Sequence, residues 1–128
     1  MVDNRDRQTL GRLGEDRAGA YLTGQGLALV ARNWRTRAGE LDIVARDGEW
    51  LVFVEVRTRT KPGDNLRYGP PEDSLTQRKL RRLAALAEAY VFATGWDGPW
   101  RIDVIALELR GDGEVARLEH WRDVVGGA

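Results

Sequence analysis

The sequence lacks several features that common kinds of functional site require. It contains no cysteine, which excludes disulfides, thiolate metal sites and a cysteine nucleophile. It contains a single histidine, His120, so a zinc site built from several histidines is excluded as well. Its apolar runs are far shorter than the roughly 20 residues of a membrane-spanning helix, and residues 1–7 do not have the apolar stretch of a signal peptide. We therefore expect a cytoplasmic protein that does not contact a membrane.

The length and composition of the chain are typical of one globular domain. With 128 residues, 42% hydrophobic and 31% charged, we expect a single domain over residues 1–128 whose core spans about residues 9–121. The formal net charge is zero, but residues 57–82 contain eight basic and three acidic side chains, whereas residues 97–123 are acid-rich. A basic segment of this kind is compatible with a polyanion partner, although most charge runs are solvated surface.

Hydrophobic periodicity and local turn signals predict two helices and five strands. The predicted elements, in chain order, are a helix over residues 9–25, a strand over 27–34, two strands within 39–57, a helix over 74–93, and strands over 101–109 and 115–121. Asp47-Gly48, between alternating apolar runs, is typical of a two-residue hairpin turn. Ser74 is predicted to cap the second helix, with Gln77 in the capping-box position. This order predicts an α/β or α+β fold in which helices pack on a sheet.

Two segments depart from ordinary helix and loop composition. The first helix contains Gly11, Gly14 and Gly19, which lower its intrinsic helix propensity and indicate close packing against a neighbouring element. The loop over residues 58–73 is long, and loops of this length are usually functional or mobile.

The predicted hairpin carries charged residues within otherwise apolar strands. These are Glu40, Asp42, Glu55 and Arg57. With the turn at Asp47-Gly48, Glu40 lies opposite Glu55 and Asp42 lies opposite Phe53, so all the charged residues project from one face. Directly opposed residues have Cβ atoms roughly 5 Å apart, close enough for carboxylates to share a divalent cation. Because apolar residues occupy both faces of the hairpin, the carboxylates are expected to be buried and to need a metal ion or cations nearby.

The same spacing also allows a salt-bridge ladder without any metal. In that arrangement Glu40 and Glu55 are neutralised by Arg57, Arg35 or Arg101. Spacing alone leaves the metal site and the ladder open.

Two further acids have both a functional and a structural interpretation, and the single histidine has only a structural one. Glu15 on the first helix and Asp103 on the fourth strand could each add a carboxylate to the hairpin site, and each could equally be an ordinary structural residue. His120, between Glu119 and Trp121, is interpreted as a surface residue of an edge strand.

Taken in order, four segments resemble the YraN-like family of small, largely uncharacterised bacterial proteins. They are GRLGEDRAGAYLTGQGLALVARNWR, GELDIVARDGEWLVFVEVRTR, QRKLRRLAALAEAYV and WRIDVIAL, and the likeness extends over about residues 10–121. The family is similar to PD-(D/E)-x-K nucleases and to archaeal Holliday-junction resolvases. The resemblance implies a restriction-endonuclease-like fold, with a central mixed five-stranded sheet flanked by helices. It also implies an endonuclease that depends on Mg²⁺ or Mn²⁺, acts on branched or otherwise structured DNA and forms a homodimer.

The resemblance assigns roles to individual residues of this chain. Asp42 and Glu55 match the metal-binding carboxylates, helped by the carbonyl of Val56. Glu15 matches the acid of the first helix as a further metal or catalytic residue, and Glu40 lies in the Gly-Glu-x-Asp step of the motif.

Arg57 departs from the family pattern, which usually has lysine at this position. Because a guanidinium stays protonated, arginine can supply charge but is a poor proton acceptor. Three alternatives follow: the metal alone activates the water, Lys79 or Lys61 reaches the site, or the site is weakened. Phosphate contacts flanking the site are expected from Arg59, Lys61, Arg67, Gln77, Arg78 and Arg82.

Three function classes therefore stay open from the sequence. The first is a metal-dependent nuclease, and the second is a nucleic-acid-binding module of the same fold with weak or no turnover. The third is a protein–protein adaptor, because tryptophan is enriched at binding hot spots. Its tryptophans are Trp34, Trp50, Trp96, Trp100 and Trp121. The same tryptophans are also predicted to fill a small core.

Overall fold

A computed structural model describes residues 4–60 and 76–125, with side chains from residue 8 onward. The elements are α1 (Asn4–Gly24), β1 (Ala28–Thr36), β2 (Gly39–Asp47), β3 (Trp50–Thr60), α2 (Gln77–Thr94), β4 (Trp100–Leu109) and β5 (Val115–Trp121). The strands form one sheet in the order β1-β2-β3-β4-β5, in which only the β3–β4 pair is parallel. The predicted α+β class, the mixed five-stranded sheet and the element order are confirmed. Within the described ranges, neither helix has an apolar stretch long enough to cross a lipid bilayer.

The sheet has an apolar cluster on each face. The cluster under α1 consists of Ala18, Leu22, Leu27, Ile43, Ala45, Val52, Val54, Ile105 and Leu107. The cluster under α2 consists of Leu41, Val44, Leu51, Phe53, Leu83, Leu86, Ala87, Tyr90 and Ile102. Because β2 and β3 are covered on both faces, a carboxylate on either strand loses much of its contact with water.

Gly14 brings α1 against the C-terminal half of β3. A Cβ atom built on Gly14 would lie 1.9 Å from Thr58 Oγ1 and 2.9 Å from Thr58 Cβ, so no side chain fits there without displacement. The close packing predicted for the glycines of α1 is confirmed at this position. At Gly11, in contrast, a Cβ would meet no atom within 4 Å.

The predicted hairpin register is wrong by two residues. Asp47 pairs with Trp50, and the turn consists of Gly48 and Glu49, with Gly48 in the left-handed region at φ 63°. The pairing continues to Ile43 opposite Val54. Because side chains alternate with a period of two, a slip of two residues changes the partners and preserves the faces.

The N-cap predicted for the second helix is also corrected. Thr76 is the N-cap of α2, and its Oγ1 accepts a hydrogen bond from the Lys79 N–H at 3.1 Å. Ser74, predicted as the cap, and residues 61–73 of the predicted loop lie outside the described residues. The cap at Thr76 places Lys79 in the first turn of α2.

Three of the five tryptophans pack against the core beneath α2. Trp34, Trp96 and Trp100 pack against the cluster under α2. The Phe53 ring meets Trp100 edge-on, with ring centroids 5.7 Å apart. Trp50, next to the hairpin turn, is 37% exposed. The core-filling interpretation is therefore confirmed for three of the five tryptophans.

Candidate functional site

Asp42 of β2 and Glu55 of β3 are neighbours at the end of the hairpin ladder. The β2–β3 ladder ends at the pair Ile43–Val54, and Asp42 and Glu55 are the residues directly beyond that pair. The side chains hydrogen bond to each other, and Asp42 Oδ2 accepts a further hydrogen bond from the Val56 N–H at 2.9 Å. Both carboxyl groups line one narrow gap beneath Leu83 of α2. The sequence prediction that these two carboxylates converge is thus supported by their geometry.

The two carboxyl groups cannot both ionise easily. Burial, and then the charge of Glu55, raises the pKa of Asp42 to about 8, although the Val56 N–H opposes the rise. Burial also raises the pKa of Glu55, against the opposing effects of Arg57, of the hydrogen bond with Asp42 and of Lys79. Without a cation, the raised pKa values of both groups favour a protonated form of the pair near neutral pH.

A cleft of about 450 Å³ opens beside Glu55, between the C-terminal half of β3 and the first turns of α2. Its charged lining consists of Glu40, Glu55, Arg57, Arg59, Lys79 and Arg82. Gly39, at φ 148°, lets the start of β2 approach α2, since a Cβ there would lie 3.2 Å from Leu86 Cδ1. The cleft therefore brings Glu55 of the carboxylate pair to a wall of basic side chains.

Glu15 and Glu40 meet at one side chain that the sequence analysis did not single out. Asn33 Nδ2 donates to Glu15 Oε1 at 3.0 Å and to Glu40 Oε2 at 3.1 Å. Glu15 also pairs with Arg32 at 3.3 Å, and Glu40 pairs with Arg35 at 3.0 Å. The residues Asn33 and Arg32 could have been suspected only from their position in the segment ARNWR, because nothing in their spacing indicates a role.

The salt-bridge alternative is correct for Arg35 at Glu40 and wrong for Arg101. Arg35 neutralises Glu40, as that alternative expects. Arg101, however, binds Asp103 at 3.0 Å and Asp47 at 3.2 Å. Among the described residues, Arg101 forms no salt bridge with Glu55, and the charges of Arg57 and Lys79 are the ones that lower the pKa of Glu55.

Asp103 belongs to a separate buried network on the α1 side of the sheet. Its carboxylate is fully buried and accepts hydrogen bonds from Arg101, from His120 Nε2 at 2.8 Å and from the Asp123 N–H at 3.0 Å. His120 Nδ1 lies 3.0 Å from the Tyr21 hydroxyl. The surface interpretation of His120 is wrong, because its side chain is only 4% exposed, and Asp103 is a structural residue outside the cleft lining.

The residues predicted to contact phosphates are distributed unevenly. Arg59 and Arg82 line the cleft, whereas Gln77 and Arg78 are exposed on the first turn of α2 and do not line it. Lys61 and Arg67 lie outside the described residues. Of the two lysines considered as substitutes for the motif lysine, Lys79 lines the cleft beside Arg57.

The carboxylate pair fits a hydrated divalent cation better than a cation enclosed by protein. No group of three or more histidine, aspartate or glutamate side chains in residues 4–60 and 76–125 is arranged to hold a metal ion. Mg²⁺ usually keeps several waters and uses one or two protein carboxylates. A cation at this position would offset the burial and the charge repulsion that raise the pKa values of Asp42 and Glu55.

Comparison with known sequences gives a family but no activity. A family model described as "Uncharacterised protein family UPF0102" matches residues 14–107. The chain is 45% identical over 116 residues to a UPF0102 protein of Rhodococcus jostii, covering 89% of this chain and 93% of the relative. It is 46% identical over 118 residues to one of Pelotomaculum thermopropionicum, covering 91% and 95%, and 46% identical over 121 residues to one of Beutenbergia cavernae, covering 94% and 98%. The chain therefore belongs to the uncharacterised protein family UPF0102, which is the YraN-like family indicated by its motifs.

Proposed function

We propose that the protein is a divalent-metal-dependent nuclease that hydrolyses phosphodiester bonds in DNA. The observation that carries the proposal is that two partly buried carboxyl groups, Asp42 and Glu55, line one narrow gap, while Glu55 also lines a cleft with a basic wall. Carboxylates in contact repel each other and lose hydration, so a pair kept in this state is a candidate functional site.

Asp42 and Glu55 would hold Mg²⁺ or Mn²⁺, helped by the carbonyl of Val56. When bound, the ion supplies a water of lowered pKa and polarises a phosphoryl oxygen. Asp42 must lose its proton for the ion to bind, so the affinity for metal is expected to rise with pH.

The basic residues of the cleft would bind and orient the scissile phosphate. Arg57 and Lys79 both act electrostatically on Glu55, which places their charges near the carboxylate pair. Arg57 offsets charge that develops on the phosphoryl oxygens. Lys79, from the first turn of α2, would take over the orientation of the attacking water that the motif lysine performs in similar nucleases.

DNA is proposed as the substrate because the basic side chains of the cleft would pair with its backbone phosphates. Arg59 and Arg82 lie in the same cleft and would hold phosphates next to the cleaved one. Because the formal net charge of the chain is zero, the attraction for phosphates comes from the basic residues of the cleft and of segment 57–82 rather than from the overall charge. Branched or structured DNA, a cytoplasmic location and a homodimer rest on the family resemblance and on the sequence, and they remain predictions.

Arg57 favours a second candidate function, a nucleic-acid-binding module with weak or absent turnover. A guanidinium binds phosphate well but cannot serve as a general base. In this alternative, the cleft binds DNA and the carboxylate pair does not support hydrolysis.

A cleavage assay with matched variants separates the two candidates. Linear, flapped and four-way DNA are incubated with Mn²⁺ and with wild type, Asp42→Asn or Glu55→Gln. The nuclease proposal predicts cleavage that falls at least about 100-fold in each variant, since each removes a metal-binding charge. DNA binding without cleavage above the level of the variants would support the binding module, and a gain of cleavage in Arg57→Lys would identify Arg57 as the weakening residue.

A further inference from the structure

Asn33 has an unusual backbone conformation in the middle of a strand. Its φ is 54°, in the left-handed region, which costs a non-glycine residue roughly 1–2 kcal/mol. Asparagine tolerates this region better than most residues. Strain of this kind persists only where surrounding interactions maintain it, and it is often found at functional sites.

The position of Asn33 in the sheet places it next to the carboxylate pair. β1 pairs Arg32 with Ile43 and Trp34 with Leu41, so Asn33 and Asp42 are the residues enclosed between these two pairs. The strained residue therefore lies beside the metal-binding strand at the level of Asp42.

The Asn33 amide holds together two carboxylates from different elements. One nitrogen, Nδ2, donates to Glu15 of α1 and to Glu40 of β2, at 3.0 and 3.1 Å. Two negative groups that share one donor repel each other, so the amide maintains a spacing that the carboxylates alone would not adopt.

Each of these carboxylates keeps one oxygen available. Arg32 binds Oε1 of Glu15, the same oxygen that Asn33 binds. Arg35 binds Oε2 of Glu40, again the oxygen shared with Asn33. Glu15 Oε2 and Glu40 Oε1 accept no hydrogen bond from the part of the chain that the structure describes.

Both carboxylates lie close enough to affect the proposed metal ligands. Glu40 lines the cleft together with Glu55. The charges of Glu15 and Glu40 each contribute to the raised pKa of Asp42. Glu15 is only 13% exposed, so its charge is weakly screened by solvent.

We propose that Asn33 is a positioning residue that holds Glu15 and Glu40 as acceptors for the waters of the cation bound by Asp42 and Glu55. The inference rests on the proposed metal site and extends it to a second layer of ligands. Mg²⁺ and Mn²⁺ bound by two carboxylates keep several waters, and these waters need acceptors. Loss of such outer partners typically weakens metal binding 10–100-fold.

A variant that removes the amide without opposing the backbone tests this role. Asn33→Gly is compatible with positive φ, so relief of strain partly offsets the lost hydrogen bonds and the variant is expected to fold. Asp123→Gly is the matched control, because Asp123 also has φ 54° but contacts β4 rather than the cleft. Mn²⁺ affinity is measured by calorimetry on the full chain, and the melting temperature is measured without metal.

The expected result is Mn²⁺ binding at least about 10-fold weaker in Asn33→Gly, with wild-type affinity retained in Asp123→Gly. Equal affinity in wild type and Asn33→Gly would overturn the inference and leave the proposed function standing. Absence of Mn²⁺ binding by wild type at millimolar ion would instead overturn the proposed function.

A spectroscopic measurement on the wild-type chain does not depend on whether the variant folds. The sequence contains only three asparagines, so the Asn33 side-chain amide signals can be assigned in an amide-correlation NMR spectrum. Adding Mg²⁺ should shift these signals, because Glu15 and Glu40 change partners at their other oxygens. Signals that stay fixed while Mg²⁺ binds would contradict the positioning role.

Discussion

Replacement of Asp42 by asparagine is expected to stabilise the metal-free protein at neutral pH. Asparagine resembles a protonated aspartic acid, because its oxygen can still accept the Val56 N–H and its amide can donate to Glu55. It differs in that it cannot ionise. The variant therefore removes the buried charge and keeps the local hydrogen bonds.

The size and sign of the effect follow from the pKa of Asp42, about 8 in the folded chain against an ordinary value of 3.8. Between these values the folded chain keeps a proton that the unfolded chain releases, so the free energy of unfolding falls as the pH rises. Each pH unit costs about 1.4 kcal/mol. The variant should match wild type near pH 4 and exceed it by on the order of 4 kcal/mol at pH 7.

Denaturant unfolding with EDTA, repeated from pH 4 to pH 8, measures this difference. Glu88→Gln is the matched control, because Glu88 is an exposed acid on α2 outside the cleft. Saturating Mn²⁺ should make wild type more stable than Asp42→Asn at pH 8, because the ion stabilises wild type alone. A difference between Asp42→Asn and wild type that does not change with pH would refute the reasoning, since a buried ionisable group would then not be its cause.

Three further predictions concern the packing of α1, the buried Asp103 network and the basic wall of the cleft. Gly14→Ala should destabilise the fold by about 1–3 kcal/mol, because the added Cβ meets Thr58. Gly11→Ala adds a Cβ in open space and should raise stability by up to about 1 kcal/mol through helix propensity. Equal effects of the two variants in denaturant titrations would contradict the close approach of α1 to β3. Burial alone would raise the pKa of Asp103, but hydrogen bonds from His120, from the Asp123 N–H and from Arg101 lower it, so its stabilising effect should be present above about pH 4 and lost at lower pH. Asp103→Asn should therefore cost about 3 kcal/mol at pH 7 and progressively less as the pH falls below about 4, and a cost that does not decrease on acidification would contradict the network. Lys79→Ala should weaken DNA binding and lower by about one the slope of log binding constant against log salt concentration. Arg78→Ala should have a smaller effect, because Arg78 is exposed outside the cleft. Equal losses in a salt titration would argue against the cleft as the binding site.

The element order and the face of β3 that carries Glu55 could be predicted because both depend on local periodicity. Alternation along β3 fixes which of its residues share a face, and that result survives any slip by an even number of residues. Along β2 the alternation is interrupted at Asp42, because Leu41 and Ile43 pack in clusters on opposite faces of the sheet. The register itself could not be predicted, since Asp47-Gly48 and Gly48-Glu49 are both possible turns and the choice depends on the positive φ of Gly48.

Residues whose roles depend on distant contacts were missed or misassigned. His120 lies 99 positions from Tyr21, and their contact requires the packing of α1 on the sheet and the register of β5 on β4. Asn33 acts through a backbone conformation that leaves no pattern in hydrophobicity or charge. In both cases the chemistry depends on tertiary geometry that neither periodicity nor motif spacing encodes.

For a divalent cation to bind at Asp42 and Glu55, it must displace a proton from Asp42, whose pKa is raised to about 8. Calorimetric titration of Mn²⁺ into wild type at pH 7, in two buffers of different ionisation enthalpy, measures the number of protons released on binding. We predict release of about one proton per bound ion, with no comparable release in Asp42→Asn. Mn²⁺ binding without proton release, or no binding at millimolar Mn²⁺, would contradict the assignment of this carboxylate pair as the metal site.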